Sequence, residues 1–378
     1  MNSTYSVAIG SRSGELSENL WLNNRTWDLT FISLSAALVV LPFAAYEMFN
    51  YLLGIESVRG AIGINQSDLL DVSRNTVNGL IALLIGGPHM YATYTRTFLD
   101  GEFRKQHVVF LLGSLVLPFV VVYLGVVNFQ LLVTFFFFWA SIHILHQIAY
   151  IIDCYNLKAT KRISLASRVL DYVVVFSALY PIGVWRMVNN DFNIGKIRLL
   201  FPDFLMIQNN PNVGWGIFLF VVLVFGVSLT LWIGRSYREY QRGELHTPKF
   251  LLMALTIGVS FFIPAYHELD VAFQGFNTWH SFQYLGLTLY INRVRQQKQG
   301  IRTPLIRSMS LAGRGWRFYM FNVGCALGAV GMIALLLLNR QALGFSFDQC
   351  YYVVVLSFLL MHYYHDHLLF TKTDAVLS

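Results

Sequence analysis

Charge is scarce in this chain. Asp, Glu, Lys and Arg make up 12% of its 378 residues, about half the share found in an average soluble domain. That deficit leaves no stretch polar enough to clothe a separate water-soluble domain. The formal excess of +7 gives no ground for a nucleic-acid partner, because basic residues in a membrane chain mostly record topology. Cysteine is equally sparse. Cys154, Cys325 and Cys350 are odd in number and scattered, so neither a disulfide framework nor a thiolate metal site is expected. No lysine falls inside any of the proposed spans, which excludes a retinal Schiff base. Residues 1–26 are polar and lack a basic flank leading into an apolar stretch, unlike a signal or transit peptide of the usual kind. There is no internal repeat and no low-complexity tract.

What the chain has in abundance is apolar and aromatic residues, 56% and 16% of the total. Runs long enough to cross a hydrocarbon core of about 30 Å recur from Trp27 onward. They predict an all-α, polytopic transmembrane bundle of ten spans, near 27–53, 75–98, 107–127, 129–152, 166–190, 213–234, 250–265, 267–293, 317–338 and 348–370. Pro264 makes the seventh and eighth either one kinked helix or two. The whole chain, 1–378, reads as a single membrane domain, with a polar N-terminus over 1–26 and the bundle over 27–370. Alternate loops hold 20 and 5 basic residues, with Arg96 and Arg186 inside span ends. That asymmetry puts both termini in the cytoplasm, in a plasma or inner membrane.

Within this apolar background the histidines stand out. The last span, Tyr351 to Phe370, closes on His362-Tyr363-Tyr364-His365-Asp366-His367. Buried ionisable groups are costly in a bilayer and mark functional sites. His89, His143 with His146, and His280 lie in the second, fourth and eighth spans. Counted from the proposed span starts, His89, His143, His280 and His362 all fall about 20 Å into the membrane at 1.5 Å per residue. One buried histidine is ordinarily a hydrogen-bonded core residue; four at a common depth point to a shared ion. The i,i+3 spacing of His143/His146 and His362/His365 projects each pair from one helix face. The predicted metal ligands are therefore His89, His143, His146, His280, His362, His365 and Asp366. Gln147, Gln283, Tyr94 and Tyr363 are outer candidates that orient them. Imidazoles with one carboxylate suit iron, copper, zinc or manganese and do not suit calcium or magnesium. His267, Glu268 and Asp270 form a separate polar patch at a helix start.

The motifs Pro88-His89, Ile142-His143, His280-Ser281 and His362-x-x-x-Asp366 resemble, in kind and order, those of the bacterial Brp/Blh family of membrane β-carotene dioxygenases. The resemblance implies one non-haem iron held by these histidines and central cleavage of a polyene to retinal. The chain departs from the family pattern in two places. Met90 and Thr93-Tyr94 replace a glycine and an aspartate after the first histidine, and Tyr284 replaces a second histidine after His-Ser. Membrane desaturases and hydroxylases use denser boxes with adjacent histidines, and no His-His occurs here.

The leading expectation is thus an oxygen-dependent membrane oxidoreductase of the dioxygenase or desaturase type. It would hold one or two ferrous ions, take a hydrophobic lipid, isoprenoid or carotenoid from the bilayer, and draw on an electron donor where the reaction needs one. Three other classes stay open: a haem-binding electron-transfer protein, a His-lined metal or proton transporter, and a structural protein whose polar side chains bond between helices.

Overall fold

The computed structural model describes residues 20–159, 163–298 and 300–371; most of the polar segment expected over 1–26 lies outside them. In chain order the long helices are α1 (Arg25–Gly54), α2 (69–94), α3 (Val108–Val127), α4 (Phe129–Lys158), the bent pair α5 (Leu165–Ser177) and α6 (Tyr180–Val188), α7 (Pro211–Gln241), α8 (Thr247–Ala265), α9 (Leu269–Lys298), α10 (Gly315–Leu338) and α11 (Phe347–Leu369). A two-stranded antiparallel hairpin, β1 (Asn193–Ile194) and β2 (Ile197–Arg198), follows α6.

Among the described residues, six helices are long and apolar enough to cross a membrane: α1, α3, α4, α7, α8 and α10. The pair α5–α6, bent by 40°, makes a seventh if counted as one span. The all-α class expected from the sequence is present, and these helices are compatible with a multi-pass membrane protein. The expected ten spans exceed what length and composition alone support. The shortfall is α2, α9 and α11, which carry histidines and the polar side chains around them; each such residue weakens the apolar signal of its helix.

Local chemistry sets the helix ends. Asn128 and Asn210 cap α4 and α7 by accepting from Leu131 N (3.0 Å) and Val213 N (3.3 Å), satisfying donors the first turn cannot. Ser346 and Gln349 form a reciprocal capping box at α11. Pro264 proves to be a boundary: α8 ends there in a 3-10 turn, Tyr266 is extended, and α9 starts afresh at Leu269.

The α9 helix is the central element, packed against α1, α2 and α4. Its contact with α1 is close at Gly275, where a Cβ would stand 2.8 Å from the Val39 carbonyl oxygen. The main core lies between α1, α4, α8 and α9 and includes the fully buried Trp279, Tyr155 and Tyr284. In contrast, α7 and α10 present rows of exposed large apolar side chains such as Leu219, Phe220, Leu223, Leu327 and Leu335, the surface a bilayer would cover.

The lysine count needs one correction. Helix α8 starts at Thr247, three residues before the expected span, because Pro248 occupies its first turn. Lys249 is therefore inside the helix and buried, with its ammonium 3.2 Å from Asp171 and 3.0 Å from Asn156 Oδ1. Arg235 pairs with the same Asp171 carboxylate. This lysine is held as a partner of Asp171 on α5.

Candidate metal centre

Helices α2, α4, α9 and α11 each deliver one histidine to a common point. The ring centres form a closed cycle: His89 to His280 is 5.0 Å, His280 to His143 5.1 Å, His143 to His362 5.0 Å and His362 to His89 4.7 Å. A ring nitrogen bound at about 2.1 Å puts its ring centre about 3.2 Å from the ion, so four rings around one ion have neighbouring centres about 4.5 Å (square) to 5.2 Å (tetrahedral) apart. The observed spacings fall in that interval. All four histidines are buried, and among the described residues the Nε2 atom of each has no hydrogen-bond partner. An orphaned buried polar atom costs about 1–3 kcal/mol; four of them on facing helices call for a shared ligand. Ligand-capable atoms of His89, His280 and His362 lie within 4.8 Å of one another, as do those of His143, His362 and Asp366.

No family model, curated protein or solved structure matches this chain. The site is therefore interpreted from its own atoms.

Two imidazoles are held by hydroxyls from neighbouring helices. Ser281 of α9 lies 2.8 Å from His89 Nδ1, and Thr93 of α2 lies 2.5 Å from His362 Nδ1. Engaging Nδ1 in this way leaves Nε2 as the nitrogen free for a metal. Thr93 also contacts the Tyr284 hydroxyl (2.6 Å) and donates to Asp366 Oδ1 (3.1 Å), and Tyr284 donates to the same oxygen at 2.6 Å. The other carboxylate oxygen, Oδ2, has no hydrogen-bond partner and stands 3.8 Å from His143 Nε2 and 3.6 Å from His362 Nδ1. Asp366 thus brings a carboxyl group to the edge of the cluster. The Tyr363 ring stacks on His143 with centres 4.0 Å apart.

The outer candidates act at one remove. Gln147 donates to the His280 carbonyl (3.2 Å) and to Gln283 Oε1 (3.1 Å), while Gln283 donates to the Ile32 carbonyl. Both fix α9 against α4 and α1 without touching an imidazole nitrogen. Tyr94 donates to the Phe358 carbonyl at 2.9 Å, which ties α2 to α11.

Two predicted ligands lie elsewhere. His365 has both ring nitrogens engaged, by Thr97 (3.1 Å) and Ser114 (3.0 Å), and sits among Phe98 and Phe110. His146 is only half-buried and faces His367 and Phe370. The reason is angular: residues three apart diverge by about 60° around a helix and residues four apart by about 40° in the other sense. The centre uses the second spacing. Each histidine of the ring has its polar companion at i+4: Thr93, Gln147, Tyr284 and Asp366.

The orienting roles of the Thr93 and Ser281 hydroxyls are what the sequence left hidden; for Thr93 the recurring i+4 polar position was the available signal, and for Ser281 its place directly after His280. Tyr91 was also missed. Its hydroxyl is buried without a partner, and it lines a cavity of about 230 Å³ that reaches His89.

Proposed function

We propose that this chain is a ten-span membrane oxidoreductase, both termini cytoplasmic, in which His89, His143, His280 and His362 hold a single iron ion used to oxidise a hydrophobic substrate from the bilayer. The observation that carries it is the ring of four buried imidazoles with orphaned Nε2 atoms, one of which, on His89, borders a largely apolar cavity. The donor set fits the metal. Neutral imidazoles beside one carboxylate suit iron, copper or zinc, and the resemblance to the Brp/Blh family favours iron. One ion fits better than two, because His362 belongs to both sets of convergent ligands. When bound, such an ion supplies the one-electron and dioxygen chemistry that side chains lack.

The chain's own residues do the rest. Ser281 and Thr93 orient His89 and His362 and set which nitrogen faces inward. Asp366, fully buried, would place a carboxylate beside the bound cation. The cavity walls from α10 and α11 exclude water from the reacting end, which suppresses side reactions. The two departures from the family pattern also fit together: Thr93 and Tyr284 touch each other at 2.6 Å and share Asp366. A haem fits less well, since the four-ring cycle leaves no gap between neighbouring rings for a porphyrin plane.

The test is direct. Protein purified from iron-replete cells is measured by elemental analysis and absorption spectroscopy, then supplied with carotenoids and isoprenoids in vesicles while oxygen uptake and products are followed. One iron per chain, no Soret band and substrate-dependent oxygen uptake are expected. Absence of any stoichiometric metal would overturn the proposal.

A further inference from the structure

The cavity at His89 has two unlike walls. One is apolar, from Ala326, Ala329, Val330 and Ile333 of α10 and Val355 and Leu359 of α11. The other is the face of α9 carrying Asp270, Gln274 and Asn277, positions four and three apart that share one side of a helix. Ser281, four residues on, extends this stripe to the metal centre: Asn277 donates to Gln274 Oε1 (3.2 Å), Ser281 donates to Asn277 Oδ1 (3.1 Å), and Ser281 meets His89 at 2.8 Å. A pocket evolved for plain hydrocarbon has no use for such a wall, since every amide in it must be kept hydrogen-bonded.

At the far end, on α2, the Asn78 side-chain oxygen is buried and accepts no hydrogen bond from any described residue. Its neighbour there, Asp270, is already ion-paired with Arg74 at 3.0 Å. The vacant acceptor is therefore the amide oxygen, and it calls for a neutral donor. From Asn78 to Tyr91 the cavity follows α2 for about 20 Å at 1.5 Å per residue. A second cavity continues outward from Asn78, lined by Arg74, Asn75 and Asp348. The hairpin closes over this mouth. Gly195, at φ +55°, lies so near Arg74 that a Cβ would stand 2.6 Å from the guanidinium, and Lys196 pairs with Asp71.

We infer that the cavity takes a hydroxylated lipid, an isoprenoid or fatty alcohol, whose hydroxyl donates to Asn78 beneath the hairpin while its chain runs between the polar stripe and the apolar wall to His89. This rests on the metal-centre reading and narrows its substrate class from hydrophobic to amphipathic. The polar end fixes which part of the chain reaches the centre, as a site built to hydrogen-bond a hydroxyl rejects the analogue lacking it.

The experiment equilibrates purified protein in detergent with equimolar phytol, an isoprenoid alcohol, and phytane, the matching hydrocarbon. Bound lipid is counted by gas chromatography, and metal is counted in the same sample. Phytol is expected to exceed phytane by about tenfold or more. Asn78→Leu is expected to abolish the preference with metal content unchanged, and Tyr91→Phe to preserve it. Equal binding of the two lipids by the unsubstituted protein overturns the inference. So does a preference that survives Asn78→Leu, or one lost only in Tyr91→Phe, which would put the hydroxyl at the wrong end. Should Asn78→Leu fail to fold, Gln274→Leu reports on the same wall, and a preference undiminished there counts against the inference. A protein that prefers phytol but holds no metal would sink the metal centre and leave the lipid site standing.

Discussion

Thr93→Val is the sharpest probe of how the imidazoles are held. Valine keeps the shape of threonine and deletes one hydroxyl in a fully buried position. That hydroxyl is the partner of His362 Nδ1 at 2.5 Å; it also contacts Tyr284 and donates to Asp366, and those two keep each other at 2.6 Å. The loss therefore falls mainly on His362. Its Nδ1 becomes an unpaired buried atom, costing about 1–3 kcal/mol of stability. Its ring is also freed to rotate, and losing an orienting partner typically lowers metal affinity about 10- to 100-fold, or ~1.4–2.7 kcal/mol. The control lies one turn further along: Thr97→Val is equally buried but touches His365, which the cluster does not include. Competitive titration of each variant against a chelator, with thermal unfolding of the metal-free forms, reads both quantities. Thr93→Val should bind metal far more weakly and Thr97→Val as the unsubstituted protein does. Equal affinity in Thr93→Val, or equal losses in the two, would refute the assignment of Thr93.

Other outcomes follow from the same coordinates. His143→Ala and His362→Ala should each lose the metal while still inserting, whereas His146→Ala and His365→Ala should keep it; elemental analysis of membrane-extracted protein decides. Gly275→Ala should destabilise the α1–α9 contact by about 1–3 kcal/mol, because its new methyl meets the Val39 backbone 2.8 Å away and no side chain can swing clear; thermal unfolding measures it, and an unchanged midpoint would argue against that close approach. Asp171→Ala removes the buried carboxylate that Lys249 and Arg235 share, leaving Lys249 with Asn156 and Arg235 with Glu239 and the Ser167 carbonyl, and should cost about 3–5 kcal/mol, with part of the loss restored by Lys249→Met in the same chain.

Much of the centre was legible from the four histidines alone, because counting residues from each apolar run's start converts sequence into depth, and depth is what brings groups on different helices together. Rotation about the helix axis was harder to read. It favoured Asp366 at i+4 and turned His365 at i+3 toward Thr97 and Ser114. A π-helical turn over Ala82–Gly86, just ahead of His89, shifts the register of α2 in a way no periodicity reveals, and such turns gather at functional sites. Threonine and serine in a helix usually bond back to their own preceding turn, which is how Ser357 behaves on α11. Nothing in composition marked Thr93 and Ser281 as exceptions. The polar content that made α2, α9 and α11 informative about chemistry also made them faint as spans.

The hydroxyls that steady His89 and His362 belong to other helices: α9 holds the ring from α2, and α2 holds the ring from α11. Neither imidazole can adopt its final pose until its neighbour has docked. On the proposed reading, capture of an ion would be the last act of assembly, a checkpoint that a chain with one misplaced helix would not pass. Metal retention after extraction then serves as a gauge of correct helix association as well as of ligand identity.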